Sequence, residues 1–319
     1  MFVSALLITS IAIPAIGELN SFKEISNEKI SIHKLQFLDH QTITIRHHFL
    51  KRTFLLYVPS TYDEQNPIPL VLMFHGGENT AINASERFGF SEKAEQEGFL
   101  VAYPDASELM GDSWNFGLGW YTASYFDELG RWFTDDIGFC KKIIDKLQTE
   151  YSIDSNKIYA AGHSNGRMMS YYVAVSISDT FAAIGSCGGC ISGHLRDFDL
   201  VTIPEPIDPV PIVEFHGEKD REVPYDGGWN SGHSIFYGSV DETINFWVEH
   251  NECDTEPITT VNGNITVDLY SNGNEGTEVL LYSVANKGHI WFGGQPWEDA
   301  DPEISTTDLM WDFFESHLK

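Results

Sequence analysis

The feature that most constrains this chain is the pentapeptide Gly-His-Ser-Asn-Gly at residues 162–166, which has the pattern Gly-x-Ser-x-Gly. The residues before it, 157–161, form a mostly apolar run typical of a short buried strand, and the apolar residues after it recur at helical spacing. Glycines on both sides permit a sharp turn from strand to helix. In a chain with 27 glycines the pattern also arises by chance, so the flanking runs decide the interpretation. They predict that Ser164 lies on this turn as a candidate nucleophile.

Two downstream segments supply the partners that a nucleophilic serine needs. A serine hydroxyl requires a nearby base, and the base requires a carboxylate that fixes its tautomer. Residues 210–217 predict a buried strand ending in a turn, and Asp220 follows it. Residues 279–284 predict another strand, and the loop after it contains His289. We therefore predict Ser164 as nucleophile, Asp220 as the acid and His289 as the general base, with enough chain between them for further strand and helix units.

An oxyanion formed at the turn would need two backbone amide donors. The amide of Asn165, at the start of the predicted helix, is the first. The second is predicted at Gly77, in the turn that follows the apolar strand 70–73. His75, His163 and His216 lie beside these elements, and we interpret them as structural braces rather than catalytic groups.

The alternation of strand-like and helix-like runs predicts a mostly parallel central sheet with helices on both faces. One helix is predicted to begin at Ser239, where Glu242 completes a capping box, and another to run from about Thr306 to His317. The sequence contains no repeat and no linker. Residues 18–319 are therefore expected to form one catalytic domain.

The first 17 residues have the character of a signal peptide. An apolar run extends to Ile16, and the small-residue stop Ala15-Ile16-Gly17 resembles a cleavage site, which predicts export and a secreted protein. The start lacks Lys and Arg, so a trimmed or lipid-facing start stays open as an alternative. If the leader is retained, the alternative is an N-terminal helix packed on the domain. The run is too short for a stable membrane anchor, and no later segment is long enough to span a membrane.

The charge balance narrows the range of partners. The chain has 19 basic and 47 acidic residues, a net charge of −28, which excludes nucleic acid and anionic membrane surfaces as favourable partners. Asp135-Asp136 and the acidic segment 298–303 are interpreted as helix N-caps and a solvated loop rather than calcium ligands. No metal and no cofactor is predicted, and no oligomeric state can be inferred. The acidic surface also suggests a saline habitat as a hypothesis.

Four cysteines leave two possibilities open. Cys140, Cys187, Cys190 and Cys253 are an even number compatible with a disulfide in an oxidising compartment, but also with buried thiols. The pair Cys187 and Cys190 lacks the second cysteine pair or histidine cluster that a zinc or redox site would need.

From about Arg52 onward the sequence resembles the secreted esterases grouped as polyhydroxybutyrate depolymerase-like and feruloyl or acetylxylan esterases, in carbohydrate esterase family one. The matching segments are residues 52–59, 69–77, 98–105, 113–115, 135–139, 162–166, 215–217 with Asp220, 223–225, 246–247, 288–291 and 304–317. The resemblance implies an α/β-hydrolase fold and the same catalytic roles for Ser164, Asp220 and His289. It also implies substrate contacts by Trp114 and Trp291. The chain departs from the family at Arg167, where a second glycine is common, and at Phe292, where proline is frequent.

These observations predict a serine carboxylic-ester hydrolase that acts through an acyl-enzyme on polymer-linked or aromatic esters. The esters considered are a polyhydroxybutyrate-type polyester and a feruloyl or acetyl-xylan ester. Two aromatic loops, residues 114–133 and 225–237, could wall the substrate cleft or simply pack under long loops. A peptidase or lipase on the same fold is an alternative. A polymer- or carbohydrate-binding protein with a vestigial hydrolase site is an alternative of another class.

Overall fold

A ten-stranded sheet forms the centre of the computed structural model, which describes residues 38–77, 79–107, 135–195, 201–294 and 304–319. These residues belong to the unit Leu38–Lys319. The predicted leader, residues 1–17, lies outside the described residues, as do Trp114, the aromatic loop 114–133 and the whole acidic segment 298–303. The predicted domain start at residue 18 also lies outside them and stays a prediction.

The strands, in chain order, are β1 Gln41–His47, β2 Leu50–Tyr57, β3 Ile68–Phe74, β4 Leu100–Pro104, β5 Ile153–His163, β6 Ala183–Cys187, β7 Ser192–Leu195, β8 Val201–Thr202, β9 Ile212–Gly217, β10 Gly228–Trp229, β11 Ile235–Tyr237, β12 Ile258–Asn262, β13 Ile265–Tyr270 and β14 Val279–Val284. The helices of the described residues are α1 Ala81–Arg87, α2 Phe90–Glu97, α3 Asp136–Glu150, α4 Asn165–Ser176, α5 Val240–His250 and α6 Thr306–Glu315.

The large sheet has the order β1-β2-β4-β3-β5-β6-β9-β14-β13-β12. Its central strands, from β4 to β14, run parallel, whereas β1 and β2 at one edge and β13 and β12 at the other pair antiparallel. The predicted mostly parallel sheet is confirmed. Because parallel strands end at a common edge, the segments that follow β3, β5, β6, β9 and β14 come together there. A second, small sheet has the order β10-β11-β7-β8.

Helices cover both faces of the large sheet, as the alternation predicts. Along β3, Leu70 and Leu72 pack on one face with α3, α4 and α5, while Val71 and Met73 pack on the other face with α1, α2 and α6. All four of these side chains are fully buried. A strand covered on both faces has no polar side, which explains why the central strands appear in the sequence as continuous apolar runs.

The local helix signals of the sequence are confirmed. Ser239 Oγ accepts a hydrogen bond from the amide of Glu242 at 3.0 Å, and the Glu242 carboxylate accepts one from the amide of Ser239 at 2.8 Å, which forms the predicted capping box before α5. Asp135 caps α3 through the amide of Gly138 at 3.0 Å, as its N-cap interpretation requires. Helix α6 begins at Thr306 as expected and ends at Glu315, two residues before the predicted end.

All four cysteines are buried free thiols, which decides between the two possibilities that the sequence left open. The thiol of Cys187, at the end of β6, donates to the carbonyl of Ile290 at 3.3 Å. Within the described ranges, no helix has the length and apolar character needed to cross a membrane.

Candidate active site

The turn between β5 and α4 holds Ser164 in an unusual backbone conformation. Its φ is 57° and its ψ is −121°, a region that is strained for a residue with a Cβ atom. Both flanking glycines are required by close packing. A Cβ atom on Gly162 would lie 2.2 Å from the carbonyl oxygen of Gly166, and one on Gly166 would lie 2.3 Å from that of Phe74. The two glycines of the pattern therefore allow a turn that would be sterically blocked with larger residues.

The end of β6 holds this turn in place. The amide of Ser164 donates to the carbonyl of Cys187 at 2.9 Å, while the carbonyl of Ser164 accepts from the amide of Arg167 at 3.0 Å as α4 begins. The hydroxyl-bearing Cβ atom thus lies at the carboxyl edge of the sheet, at the amino end of a helix. This is the placement that the sequence predicts for the nucleophile.

Asp220 and His289 form a short hydrogen-bonded pair. His289 Nδ1 lies 2.6 Å from Asp220 Oδ2, and the other carboxylate oxygen, Oδ1, accepts from the amides of Glu222 and Val223 at 2.8 and 2.9 Å. Burial by itself would raise the pKa of Asp220, but hydrogen bonds and charge interactions with His216 and His289 outweigh it and hold that pKa well below its usual range. Asp220 is therefore an ionised carboxylate that fixes the orientation of the His289 ring.

The loops that carry these two residues are joined through their backbones. The amide of Lys219, beside Asp220, donates to the carbonyl of Lys287 at 2.7 Å. Gly217, which ends β9, permits this contact, because a Cβ atom there would lie 2.4 Å from the same carbonyl oxygen. The pairing of β9 with β14 thus positions both Asp220 and His289.

His289 lies beside the serine turn. Its ring centroid is 4.9 Å from that of His163, the residue before Ser164. A Cβ atom on Gly188, which follows the Cys187 carbonyl that binds the Ser164 amide, would lie 3.3 Å from the His289 ring. The structure therefore brings all three predicted residues to one edge of the sheet. Their catalytic roles stay predictions.

The predicted oxyanion loop lies next to the same turn. A Cβ atom on Gly76 would lie 3.3 Å from Ser164 Cβ, and one on Gly77 would lie 3.9 Å from Asn165 Cβ. Asn165 is the first residue of α4, where backbone amides have no partner within the helix. Gly77 and Asn165 are thus neighbours beside Ser164, and the oxyanion role of their amides stays a prediction.

His75 braces the loop that precedes Gly77. Its Nδ1 donates to the carbonyl of Gly76 at 2.7 Å, and its Nε2 accepts from the amide of Ala106 at 3.1 Å. Both ring nitrogens are therefore engaged with backbone groups, as the structural interpretation of this histidine requires. His163 is also buried, and its burial together with the neighbouring His289 holds the pKa of His163 well below its usual range.

A buried ionic network lies beneath the candidate triad, and the sequence reasoning missed it. Arg167 Nε donates to Glu214 Oε2 at 2.8 Å, and Tyr171 donates to the same oxygen at 2.9 Å. Arg167 and Glu214 are completely buried. Gly189 provides the space, since a Cβ atom there would lie 2.5 Å from Arg167 Cδ. The sequence did contain a signal, because a glutamate inside the apolar run 210–215 must have a buried partner.

The predicted substrate contact of Trp291 is wrong. Its side chain is fully buried, with its ring centroid 4.7 Å from that of Phe88, and its Nε1 donates to Thr307 Oγ1 at 3.0 Å. The family resemblance implied a substrate role, but the chain turns inward after Ile290 and Trp291 packs in the core. The other predicted contact, Trp114, lies outside the described residues.

The second aromatic segment, residues 225–237, divides into packed and exposed members. Tyr237 is buried, and the Tyr225 hydroxyl is hydrogen-bonded to Ser283 Oγ at 2.7 Å. Trp229 is 37% exposed on the small sheet, with its ring centroid 5.7 Å from that of Phe236. Packing therefore accounts for Tyr225 and Tyr237, whereas the large aromatic ring of Trp229 is exposed.

One group among the described residues could hold a metal ion by its geometry. The ligand atoms of His47, His48 and Asp135 lie within 4.8 Å of one another. Asp135 Oδ2 lies 2.9 Å from His47 Nε2 and 3.0 Å from His48 Nε2. Hydrogen bonds from the two rings to a helix-capping carboxylate account fully for this arrangement. The buried Asp136 pairs instead with Arg52 Nη2 at 2.6 Å.

The fold and this arrangement of serine, histidine and aspartate define the class of α/β-hydrolase proteins, and comparison with known proteins specifies the family. The family model described as "Esterase PHB depolymerase" matches residues 52–214, about half of the chain. The chain belongs to this family.

Two relatives and one solved structure illustrate the family's range. Feruloyl esterase B of Piromyces equi is 26% identical over 242 residues, which cover 75% of this chain and 42% of the relative. Poly(3-hydroxyalkanoate) depolymerase C of Paucimonas lemoignei is 22% identical, covering 69% of this chain and 54% of the relative. The chain thus spans about half the length of these two relatives. The structure of an acetyl xylan esterase from Aspergillus awamori superposes with a TM-score of 0.59 at 16% identity, covering 87% of this chain and 99% of that one, and supports the same fold.

Proposed function

We propose that this protein is a secreted serine carboxylic-ester hydrolase that works through an acyl-enzyme. The observation that carries the proposal is the strained turn at Ser164 beside the Asp220–His289 pair, whose hydrogen bond is 2.6 Å long. A serine with no role in catalysis could adopt an unstrained backbone conformation. Strain at a tight turn, together with an oriented histidine, is typical of an activated nucleophile.

The chemistry follows from the positions of these groups. His289 takes the proton of the Ser164 hydroxyl as the oxygen attacks the ester carbonyl, and Asp220 stabilises the imidazolium that forms. The amides of Asn165 and Gly77 donate to the developing oxyanion, and loss of one such donor typically costs about 3–4 kcal/mol in the barrier. The protonated His289 then gives its proton to the leaving alcohol. Water activated by the same ring releases the acid, and no cofactor takes part.

The proposed substrates are polymer-linked or aromatic esters. The relatives are named for a feruloyl ester and a polyhydroxyalkanoate, and the structural neighbour for acetylated xylan. All three are carboxylic esters carried on or derived from a polymer. The exposed ring of Trp229 offers an apolar surface of the kind that contacts such chains.

Secretion is part of the proposal and rests on residues 1–17. Their apolar run and small-residue stop resemble a signal peptide. An N-terminal helix retained on the domain is the competing account. Mass spectrometry of the protein recovered from the culture medium of its natural host would separate the two, because export with cleavage leaves a new N-terminus near residue 18.

The test of the activity is hydrolysis of a matched panel by the wild type and by Ser164→Ala. The panel contains methyl ferulate, acetylated xylan, a short-chain polyhydroxyalkanoate film and a series of para-nitrophenyl acyl esters. Ser155→Ala is the control, because Ser155 lies exposed at the opposite end of the same strand, β5. We expect Ser155→Ala to retain full activity and Ser164→Ala to lose it by about four orders of magnitude or more.

The results of the panel also distinguish between the candidate substrates, and between an ester hydrolase and the alternative kinds of protein. Preference for methyl ferulate assigns plant-polymer esters, and preference for the film assigns a polyester depolymerase. Cleavage of peptides or long-chain triglycerides in its place would favour the peptidase or lipase alternative. If no ester is hydrolysed but the protein binds a polymer, the proposal is contradicted, and a binding protein with a vestigial hydrolase site is favoured.

A further inference from the structure

Four buried ionisable side chains form a continuous row that ends at the candidate catalytic acid. They are Arg167, Glu214, His216 and Asp220, and each is at most 5% exposed. Glu214 and His216 lie two residues apart on β9 and therefore point to the same face of the sheet. Asp220 lies in the loop that follows. Of these four residues, only Asp220 takes part in the proposed catalytic mechanism.

The hydrogen-bond partners of His216 determine its protonation. Its Nδ1 lies 3.3 Å from Glu214 Oε1, and its Nε2 lies 3.0 Å from the carbonyl of Val223 and 3.4 Å from Asp220 Oδ2. All three partners are acceptors. A neutral imidazole has one donor and one acceptor nitrogen, so it would place a lone pair against a carboxylate or a carbonyl. Only an imidazolium can donate on both sides.

His75 provides an internal contrast. Like His216, it is buried and precedes a glycine at the end of a central strand. However, its Nδ1 faces the carbonyl of Gly76, whereas its Nε2 accepts from the amide of Ala106. One acceptor and one donor partner are what a neutral ring needs. Both histidines lie at the end of a central strand and precede a glycine, yet His75 has one donor and one acceptor partner, whereas the partners of His216 are all acceptors.

The balance of buried charge leads to the same conclusion. Arg167 neutralises one carboxylate, that of Glu214, through contacts of 2.8 Å. The carboxylate of Asp220 would then leave a net negative charge in a buried cluster, and an uncompensated buried charge is strongly unfavourable. A protonated His216 makes the row Arg167, Glu214, His216 and Asp220 neutral.

We propose that His216 is a buried imidazolium at neutral pH that acts as a positioning residue for Asp220, contacting the same carboxylate oxygen, Oδ2, that His289 contacts. Its positive charge also acts on the nearby His289 ring, against the second positive charge that forms when that ring takes a proton from Ser164. This second effect rests on the proposed function of His289. The charge of His216 itself does not.

Electrostatic interactions support the assignment. Burial alone would lower the pKa of His216, but hydrogen bonds and charge interactions with Asp220 and Glu214 outweigh it and raise that pKa to about 8. A histidine pKa raised above its value of about 6.5 in the unfolded chain adds stability that is full below that value. This stability is lost as the pH rises through about 8.

Other groups around the ring are consistent with a positive charge. The Tyr225 ring contacts His216 edge-on, with centroids 5.6 Å apart. His163, from the serine turn, has its pKa held well below its usual range, first by burial, and is neutral. The charges that face His216 are therefore Glu214 from its own strand, Asp220 from the following loop, and Arg167 from α4 behind Glu214.

The charge is tested on the wild-type protein by NMR of uniformly ¹⁵N-histidine-labelled samples between pH 5.5 and 9.5. His216 is assigned by its absence in His216→Gln, and His75 serves as the neutral reference. We expect two protonated ring nitrogens on His216 at pH 7, with loss of one proton near pH 8, and one protonated nitrogen on His75 throughout. A single protonated nitrogen on His216 at pH 6–7 would overturn the proposal, and this measurement needs no activity.

The positioning effect is tested by comparing wild type, His216→Gln and His317→Gln. His317 is a histidine of the C-terminal segment whose Nδ1 contacts the Phe313 carbonyl at 2.8 Å, so its replacement controls for the loss of a histidine elsewhere. Removing the positive charge near His289 should move the acidic limb of the pH–rate profile for a para-nitrophenyl ester upward by about half a pH unit or more. His317→Gln should leave it in place.

The same comparison separates this inference from the proposed function. NMR titration reports the pH at which the His289 ring takes up its proton, with no substrate present. If His289 takes up its proton at a higher pH in His216→Gln than in wild type, the inference is supported, whether or not an ester is hydrolysed. Absence of ester hydrolysis would refute the proposed function and not this inference. An unchanged His289 titration in a folded His216→Gln would overturn the positioning effect. If this variant does not fold, His216→Asn replaces it for the assignment and the comparison, and the number of protonated nitrogens on wild-type His216 still decides whether the ring is charged.

Discussion

Among single residues, Ser164 stands out because it is held in a backbone conformation that a residue with a side chain does not favour. A φ of 57° with a ψ of −121° disfavours any residue with a Cβ atom, and the hydrogen bond from its amide to Cys187 keeps it there. The surrounding packing therefore supplies the energy that keeps Ser164 in this conformation. A strained functional residue is expected to reduce stability in exchange for activity.

This strain predicts a difference between two inactive variants. Ser164→Ala and Ser164→Gly both remove the hydroxyl, but only glycine removes the Cβ atom. We expect Ser164→Gly to have a free energy of unfolding about 1 kcal/mol higher than Ser164→Ala, the strain relief being partly offset by the greater freedom of glycine in the unfolded chain. Urea unfolding followed by fluorescence measures it. A less stable Ser164→Gly would show that the turn is not strained.

At the scale of elements, the site depends on how closely α4 approaches the end of β3. Gly166, the second residue of α4, lies so near the strand that a Cβ atom would be 2.3 Å from the carbonyl oxygen of Phe74 and 2.4 Å from that of His75. Backbone atoms cannot move aside as the end of a flexible side chain can. This contact places the oxyanion loop after β3 beside the serine turn before α4.

Gly166→Ala should therefore separate these two elements. We expect it to lower the free energy of unfolding by about 3 kcal/mol, since the added methyl group overpacks a rigid contact, and to reduce ester hydrolysis more than its folded fraction explains. Gly232→Ala is the control, because a Cβ atom there has its nearest neighbour at 3.7 Å, and it should change stability by less than about 0.5 kcal/mol. Equal effects of the two variants would contradict the role of this contact.

Much of the fold was predictable because its signals are local. The capping box of Ser239 and Glu242 and the strand-turn-helix pattern around Ser164 are each contained within a few residues. The approach of Asp220 to His289 followed from the rule that parallel strands end at one edge.

The remainder of the site depended on contacts between distant segments. Local patterns do not tell which way a loop residue points, so Trp291 was assigned to the substrate although it packs into the core. The partnership of Arg167 with Glu214 required the register in which β6 pairs with β9, and a sequence alone does not specify that register. The three histidines beside glycine or serine were given one common interpretation, yet their protonation depends on partners from other loops.

At the scale of the whole molecule, the distribution of charge is the dominant feature. The chain carries a net charge of −28, while the arginines and glutamate buried among the described residues are paired, Arg167 with Glu214 and Arg52 with Asp136. Most of the excess negative charge therefore lies on the surface, where it repels itself and where salt can screen it.

The surface charge predicts that salt stabilises the fold. We expect the thermal unfolding midpoint to rise as sodium chloride increases from 10 mM to about 0.5 M, where the screening length becomes shorter than the spacing of most surface charges. Sodium chloride is preferable to sulfate, which stabilises proteins generally by exclusion from their surface. A midpoint that stays constant or falls would contradict self-repulsion and the hypothesis of a saline habitat.

The central claim is that Ser164 is the nucleophile of an acyl-enzyme, and covalent trapping tests it most directly. The protein would be treated with a fluorophosphonate ester, digested and analysed by mass spectrometry to locate the adduct. We expect one adduct per chain, on Ser164, with labelling slowed by orders of magnitude in His289→Ala and absent at this position in Ser164→Ala. Labelling of another residue, or ester hydrolysis by wild type with no adduct on Ser164, would show that Ser164 is not the nucleophile.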